Sequence, residues 1–482
     1  MKYSILPIIL IVCVVCPIFG GCGNGDLSMP TLDNTGNRQS IDMPNTQDDN
    51  NESQFDVNHN LAEPDYSDFV MPEETDTLVL YSDEGTLMFL KKAMELFQKQ
   101  YPNVQIEHKH YSQDECEAIL QAEIPAGKGP DLLFSYYGLL PDIYKTMDSG
   151  VLVDLNPYMA NDPDFSLSDY NEGVLNGGVI NGKRYIVPIN YTIPMLLTTE
   201  ELLFENGIDP SSLNSFDGFI NACTEFREKN PEKRLFTTGA SNYYLQNLYE
   251  YSGLRMIDYE KKEISINEER FNKIMDLCRL YYKNPPEDGF MDSQIMLYRR
   301  ETMFGNCETT EFSYFTAYAV IKYMQQETPI FCTVPNEDDG VTASIFYFSG
   351  IPVGAQNKIN GYRFLKILLS DEYQNGIEDD NTRGQYGTMP VGLPVRTESL
   401  QKHLSYVANH IDLGDPDLVF PIGDEEVEKF CQVTENITDS ALIPKILFSY
   451  VKNTMMQYIS GKMDYEKAYA KLYNTLDIYK DE

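Results

Sequence analysis

The chain predicts an α/β fold with parallel strands alternating with helices, and three observations carry that prediction. First, "TLVLYSD" from Thr77 is a short continuous apolar run, the following stretch repeats Leu87, Leu90, Met94, Phe97 and Tyr101 on one helical face, and "VQIEHKHYS" alternates from Val104. Second, Ser112 and Glu115 form a capping box that opens a helix through Ile124, after which "GKGPDLLFSYY" supplies a glycine stop and a third buried strand. Strand, helix, strand, helix, strand implies a parallel sheet covered on both faces. Third, 482 residues with 42% hydrophobic content are enough for two or three domains with sizeable cores.

Ahead of that core, Lys2, an apolar run over residues 5–18 and the small residues Gly20 and Gly21 have the layout of a secretory leader covering residues 1–21. The run is short and carries Pro7 and Pro17, so it does not read as a membrane span. "FGGC" resembles the lipobox of bacterial lipoproteins, which implies that Cys22 is lipid-modified and becomes the first residue. Ordinary cleavage near Gly20 or Gly21, leaving Cys22 a free thiol, is the other reading of the same residues. Residues 22–75 are rich in Asn, Asp, Ser, Thr and Pro without apolar periodicity and are expected to form a disordered tether. The C-x-x-C of Cys13 and Cys16 falls inside the leader. Cys116, Cys223, Cys278, Cys307, Cys332 and Cys431 are scattered singly, as small apolar core residues are, rather than spaced as a zinc site or a disulfide framework.

Further elements follow in order. Asn181-Gly182 marks a hairpin between "GVI" and "KRYIVP". "MLLTT" reads as a strand, with a helix begun by Thr198, with Glu201 three residues on, and stopped at Asn206-Gly207. Asn267 is placed to cap a helix with Ile266 as its staple, and the last stretch reads as closing helices broken near Gly461. In open parallel sheets ligands sit beyond the carboxyl ends of the strands. Those ends are Ser82, Asp83 and Glu84, then Tyr111 and Ser112, then Ser135, Tyr136 and Tyr137.

Charge narrows the ligand. Against 37 Lys and Arg stand 74 Asp and Glu, a formal net charge of −37. Such a surface repels phosphate backbones and anionic headgroups, so no nucleic-acid partner and no charge-driven membrane docking are expected. Sugars, peptides and cations remain open.

The first strand and helix ending in "YPNVQIE", then "GKGPDLLF", "GGVINGKRYIVPINY", "SQIMLYRRETMFGNCETTEF" and "GIPVGAQNKINGYRFLKILLSDEYQ" occur in an order that resembles the extracellular solute-binding proteins of ABC importers, the class whose best-known members bind oligosaccharides. The resemblance implies a two-lobed periplasmic-binding-protein-like α/β fold, each lobe a mostly parallel sheet flanked by helices, with the ligand cleft between lobes. By position it places lobe 1 at 77–188 plus a returning segment at roughly 310–370, and lobe 2 with the closing helices at 189–309 and 371–482. It implies a cleft lined by Asp83, Glu84, Tyr111, Tyr136 and Tyr137, with Asn190 and Tyr191 at the hinge. From the second lobe it implies Thr238, Ser241, Asn306, Glu308, Tyr347 and Ser349. It further implies a monomer anchored outside the cytoplasm by lipid alone, working with ABC permease subunits, using no cofactor and catalysing nothing. A peptide or other organic solute, or a surface sensor that does not transport, fits the same residues. With no tryptophan, the chain would stack sugars on some of its 34 tyrosines and 24 phenylalanines.

An enzyme is the competing class. G-x-S-x-G, H-E-x-x-H and the phosphate-cradling G-x-x-x-x-G-K-[ST] are absent, and the S-x-x-K pairs Ser399 with Lys402 and Ser449 with Lys452 lack partner motifs. No catalytic residue is assigned. Of five histidines, only His108 and His110 share a strand face, and two imidazoles without a third ligand read as structural rather than as a metal site.

Overall fold

A computed structural model of the chain describes residues 66–136, 139–140, 142–236, 248, 251–283, 293–308, 311–375, 392–409, 422–442 and 444–481. The leader, Cys22 and the tether as far as residue 65 therefore lie outside the described residues, as do Tyr137, Thr238 and Ser241.

The first sheet is built around a strand pair read directly from the sequence. β1 (Thr77–Ser82) and β2 (Gln105–His110) run parallel in register, Thr77 opposite Gln105 through Ser82 opposite His110. Between them the helix Leu87–Gln100 buries Phe89, Leu90, Ala93, Leu96 and Phe97. The next helix, Gln113–Glu123, starts at the expected capping box, with the Ser112 N–H donating to Glu115 at 3.1 Å. β3 (Leu133–Tyr136) then joins through a parallel bridge between Leu80 and Leu132. The hairpin of β4 (Val179–Ile180) and β5 (Lys183–Arg184) turns at Asn181 and Gly182, whose φ values of 53° and 70° are the left-handed pair that a two-residue turn of this type demands.

β6 (Ile186–Thr192) stays in the first sheet, and β7 (Pro194–Thr199) begins the second. That second sheet has the order β12 (Pro329–Thr333), β7, β11 (Thr302–Glu308), β8 (Arg234–Phe236), while β9 (Ile257–Asp258) and β10 (Glu263–Ile264) form a small hairpin. β13 (Val341–Gly350) then returns to the first sheet. It pairs antiparallel with β6 along one side and, along the other, with β3 antiparallel and β15 (Ile437–Ala441) parallel; β14 (Leu393–Pro394) closes the β6 edge. The chain thus passes between the sheets at Thr192–Pro194, at residues 334–340 and after Leu442. A second apolar core, separate from the first, gathers Phe219, Phe226, Phe271, Phe304, Val451 and Leu472 among others.

The helix Glu311–Ala319 buries Tyr314, Phe315 and Tyr318 in the first core, and β12 then pairs with β7 in the second sheet before β13 enters the first. The segments fall differently from the expected division in two places. The helices Thr397–Asn409 and Asp424–Glu435 bury Leu400, Leu404 and Phe430 in the first core, not the second. The expected tether also ends early: the Phe69 ring lies 4.8 Å from that of Tyr158, and Asn357 Nδ2 donates to the Thr75 carbonyl at 2.9 Å. An apolar Phe69-x-Met71 pair packed on the core is what arrests the chain there. The helix after β7 is capped by Thr199, whose Oγ1 accepts from the Leu202 N–H at 3.2 Å; Thr198 is buried within the strand. Asn267 does cap its helix, accepting from the Arg270 N–H at 3.2 Å, and Gly461 separates the last two helices with a φ of 74°.

Close backbone contact fixes where β6 lies. A Cβ on Gly178 would stand 2.0 Å from the Ile186 carbonyl oxygen, the first residue of the strand that leads into the second sheet. Gly178→Ala should lower stability by about 1–3 kcal/mol, read as a reduced urea midpoint at unchanged slope, because the clash is with backbone and no rotamer relieves it.

Candidate functional site

β1 leaves the sheet at Ser82, and the next residues wrap into a compact turn. The Asp83 N–H donates to Thr86 Oγ1 at 3.0 Å, while the Thr86 N–H and hydroxyl donate to Asp83 Oδ1 at 2.9 and 2.8 Å. The second oxygen, Asp83 Oδ2, accepts from the Tyr136 hydroxyl at 3.1 Å. Asp83 is wholly buried, so its carboxylate is spent inside the protein. Burial, and then the nearby Asp83 charge and hydrogen bond, push the Tyr136 hydroxyl pKa above its ordinary value, so it stays a donor. With its hydroxyl tied back, the half-buried Tyr136 offers a ring rather than a hydroxyl.

The ring is supported from behind. Tyr347 on β13 stands opposite Tyr136 on β3, their centroids 6.0 Å apart at 61°. The Tyr347 hydroxyl donates to the Gly85 carbonyl at 2.9 Å and its N–H to Asn190 Oδ1 at 2.8 Å. Phe134 stacks on the Tyr347 ring at 5.5 Å and 13°, and Phe89 meets it edge-on at 5.0 Å. Gly85 sits where a Cβ would come 3.2 Å from Tyr136 Cε1, so the β1 turn and the β3 ring are in contact. Tyr111, at the end of β2, is half-buried; its N–H donates to the Ser82 carbonyl at 2.9 Å and its ring meets Tyr81 edge-on at 5.4 Å. Glu84 is exposed at the same turn. Burial, with the charges of Asp83 and Glu84 close by, pushes the Cys116 thiol up to about 12, which makes this residue a packing group and not a nucleophile.

The structure therefore brings Asp83, Glu84, Tyr136 and Tyr347 together around one turn and sets Tyr111 on the neighbouring strand end. It places others behind that wall. Asn190 is buried with its carbonyl oxygen held by Tyr347, and the Ser349 hydroxyl donates to the Leu133 carbonyl at 2.8 Å across the sheet. The Tyr191 ring is fully buried, and its hydroxyl faces a cavity of about 80 Å³ beside Cys431 and Thr434 instead of a cleft. Asn190 and Tyr191, neighbours on β6, point to opposite faces of that strand and both faces are covered, which strand position alone does not reveal. Asn306 and Glu308 lie on β11 opposite Leu196 and Pro194, and their side chains are outside the described set. The S-x-x-K pair at Ser399 carries no chemistry: the serine is buried, and Lys402 pairs with Glu398 at 2.7 Å on the surface.

A polar joint between the two cores had no sequence signal beyond a single N-cap. Asp142 caps the helix Ile143–Asp148, Oδ1 accepting from the Tyr144 and Lys145 N–H groups at 3.0 and 3.1 Å. Its Oδ2 accepts from the hydroxyls of Tyr259 and Tyr479, both at 2.7 Å. Next to it, Arg255 donates to the Tyr144 hydroxyl at 2.9 Å and to Asp439 at 2.6 Å. Asp142→Ala should cost about 2 kcal/mol by stripping a cap and removing the carboxylate that accepts from two tyrosine hydroxyls, measurable as a lower thermal midpoint.

Comparison with known proteins agrees with this architecture. The sugar-binding protein MalE of Xanthomonas citri superposes with a TM-score of 0.59 at 14% identity, over 84% of this chain and 97% of that one. The GacH receptor of Streptomyces glaucescens, solved unliganded and with acarbose, gives 0.51 at 19% identity, over 84% and 98%. The ABC substrate-binding protein Lmo0181 of Listeria monocytogenes, in complex with cycloalternan, gives 0.52 at 14%, again over 84% and 98%. These likenesses establish the two-lobed binding-protein fold. A family model described as bacterial extracellular solute-binding protein matches residues 84–375, which run from the first strand end through both sheets. The chain belongs to the family of bacterial extracellular solute-binding proteins.

Proposed function

We propose that the protein captures an extracellular sugar, an oligosaccharide or related polyol, between its two lobes and delivers it unaltered to the permease of an ABC importer. The observation that carries this reading is the half-buried Tyr136 ring, held by Asp83 and backed by Tyr347 at a strand end, with the exposed Glu84 next in the chain to Asp83. A tyrosine face stacks on the apolar face of a sugar ring, and a carboxylate accepts hydrogen bonds from its hydroxyls. Asp83 acts here by positioning Tyr136; Tyr111, Tyr137, Thr238, Ser241, Asn306 and Glu308 complete the proposed lining. The solved relatives in complex with acarbose and with cycloalternan support the ligand class. Closure draws on contacts that the ligand makes to both lobes at once.

Cys22 carries the lipid in this proposal, and the segment after it lets the body turn near the membrane. Replacement by serine should move the protein from the membrane fraction to the soluble one; retention in the membrane would remove the anchor from the account.

The binding reading is tested by a thermal-shift panel of oligosaccharides, polyols and short peptides, with chromatography of the recovered solute. A sugar at one hundred times its Kd should add about 2.7 kcal/mol of stability and come back intact. Stabilisation by peptides with none by sugars would overturn the ligand class, and a cleaved sugar would overturn the binding-only role.

A further inference from the structure

The strand ends hold a second polar cluster that solute capture does not use. In the parallel register Leu80 faces His108 and Ser82 faces His110, so both imidazoles project from one face of β2, which is the edge of its sheet. Both turn to the same atom. His108 Nε2 lies 2.7 Å from Ser82 Oγ, and His110 Nδ1 lies 3.0 Å from it. Ser82 is buried, His108 is half-buried and His110 is exposed, so the point where the rings meet is reachable from solvent on one side.

The Ser82 hydroxyl can donate to one ring nitrogen and accept from the other, so its single oxygen marks the point on which both ring nitrogens converge. Burial, followed by the charges of His110 and of Lys91 on the neighbouring helix, holds His108 below the ordinary histidine pKa. A neutral imidazole has a lone pair, and a shift of tautomer in the second ring aims two lone pairs at one point. The other charged groups near this edge, Lys109 and Glu107, pair with each other at 3.3 Å, and Lys109 also lies over the Tyr81 ring. Lys91 opposes a cation there, and the net charge of −37 draws cations to the surface as a whole.

We propose that His108 and His110 form a two-imidazole site for a divalent transition-metal ion, with Ser82 Oγ and water completing its shell. Imidazole pairs favour copper(II), nickel(II) and zinc(II) over calcium or magnesium, and copper(II) binds tightest of the series. Metal–nitrogen distances near 2.0–2.1 Å require small rotations of both rings away from the hydroxyl. Among the described residues no group of three or more His, Cys, Asp or Glu side chains is arranged to hold an ion, so the site offers two protein nitrogens and an exchangeable remainder. Metal ions and protons compete for the same ring nitrogens, so occupancy falls as the solution is acidified.

Titration of the full chain with copper(II) chloride near neutral pH, followed by electron paramagnetic resonance, tests this. One equivalent should bind with hyperfine coupling to two nitrogens. His110→Gln, at an exposed position that leaves the metal-free melting curve unchanged, should reduce coupling to one nitrogen and weaken binding at least tenfold; the double variant with His108→Gln should abolish the nitrogen coupling and leave the spectrum of unbound copper(II). Absence of a saturable equivalent, or the same affinity and coupling in His110→Gln, would overturn the site, since the ion would then be held elsewhere.

Discussion

Tyr136→Ala should weaken solute binding by about ten- to a hundredfold while leaving the protein folded, the largest effect on affinity expected from any described side chain. The ring supplies stacking area at the strand end, and loss of a central aromatic contact is worth about 1.5–3 kcal/mol, with every 1.4 kcal/mol a factor of ten in Kd. Tyr136→Phe separates the two jobs of the residue. It keeps the ring but removes the donor to Asp83 Oδ2, so a buried carboxylate loses one of its partners. Stability should then fall by about 1–3 kcal/mol while affinity changes only a few-fold. Alanine removes the same donor along with the ring, so both variants lose stability, alanine at least as much as phenylalanine, and only alanine loses most of the affinity. Because the hydroxyl pKa is raised, binding through this ring should stay level from about pH 6 to pH 9. Isothermal titration with the sugar found by screening, beside urea unfolding of each variant, checks both halves. Equal Kd values for Tyr136→Ala and the parent would take the ring out of the site.

Local signals in the sequence were legible where short-range chemistry fixes the conformation. Asn181-Gly182 demands two left-handed residues, and both are found there; Ser112 with Glu115 caps its helix; Gly207 ends another with a φ of 70°. Five apolar residues spaced for one helical face located the first helix, though Phe89, Ala93 and Leu96 share its burial with Leu90 and Phe97. The first three strands also end at or next to the expected residues, β1 at Ser82, β2 at His110 and β3 at Tyr136. What could not be read is which carboxylate faces solvent. Asp83 and Glu84 are adjacent and chemically alike, yet the first is consumed by Thr86 and Tyr136 and the second is exposed. That distinction depends on a tyrosine 53 residues away, and periodicity reports faces, not partners. The route of the chain between sheets was obscured for the same reason: β11, β12 and β13 are all apolar enough to be strands, and only pairing decides which sheet each joins.

Asp131→Ala should be the most destabilising single change in the first sheet, and the argument is one of backbone accounting. Asp131 is buried, and its side chain accepts three backbone hydrogen bonds: Oδ2 from the Val79 N–H at 2.8 Å, and Oδ1 from the Gln356 and Asn357 N–H groups at 2.7 and 2.9 Å. Those donors belong to β1 and to the approach to the helix Lys358–Leu368, which lies 225 residues further along the chain. Asn357 extends the knot, its Nδ2 donating to the Thr77 carbonyl at 2.7 Å and its Oδ1 accepting from the Asn360 N–H at 3.3 Å as the helix cap. Alanine would strand three backbone donors, the Asn357 N–H in a buried bond and those of Val79 and Gln356 in part-buried ones, for a total of roughly 2–4 kcal/mol at about 1–3 kcal/mol for a fully buried donor and less for the other two. Against a total stability of about 5–15 kcal/mol such a loss lowers the soluble yield as well as the urea midpoint. Asp131→Asn keeps one acceptor oxygen but turns an amide N–H₂ toward a backbone donor, so it should fall between the parent and alanine. If alanine shifted stability by less than 1 kcal/mol, the donors would have to find water, and the knot would be a consequence of the fold instead of a cause. Because the site residues Asp83 and Tyr136 lie at the far ends of the same β1 and β3, the folded fraction of Asp131→Ala should still bind solute with near-parent affinity.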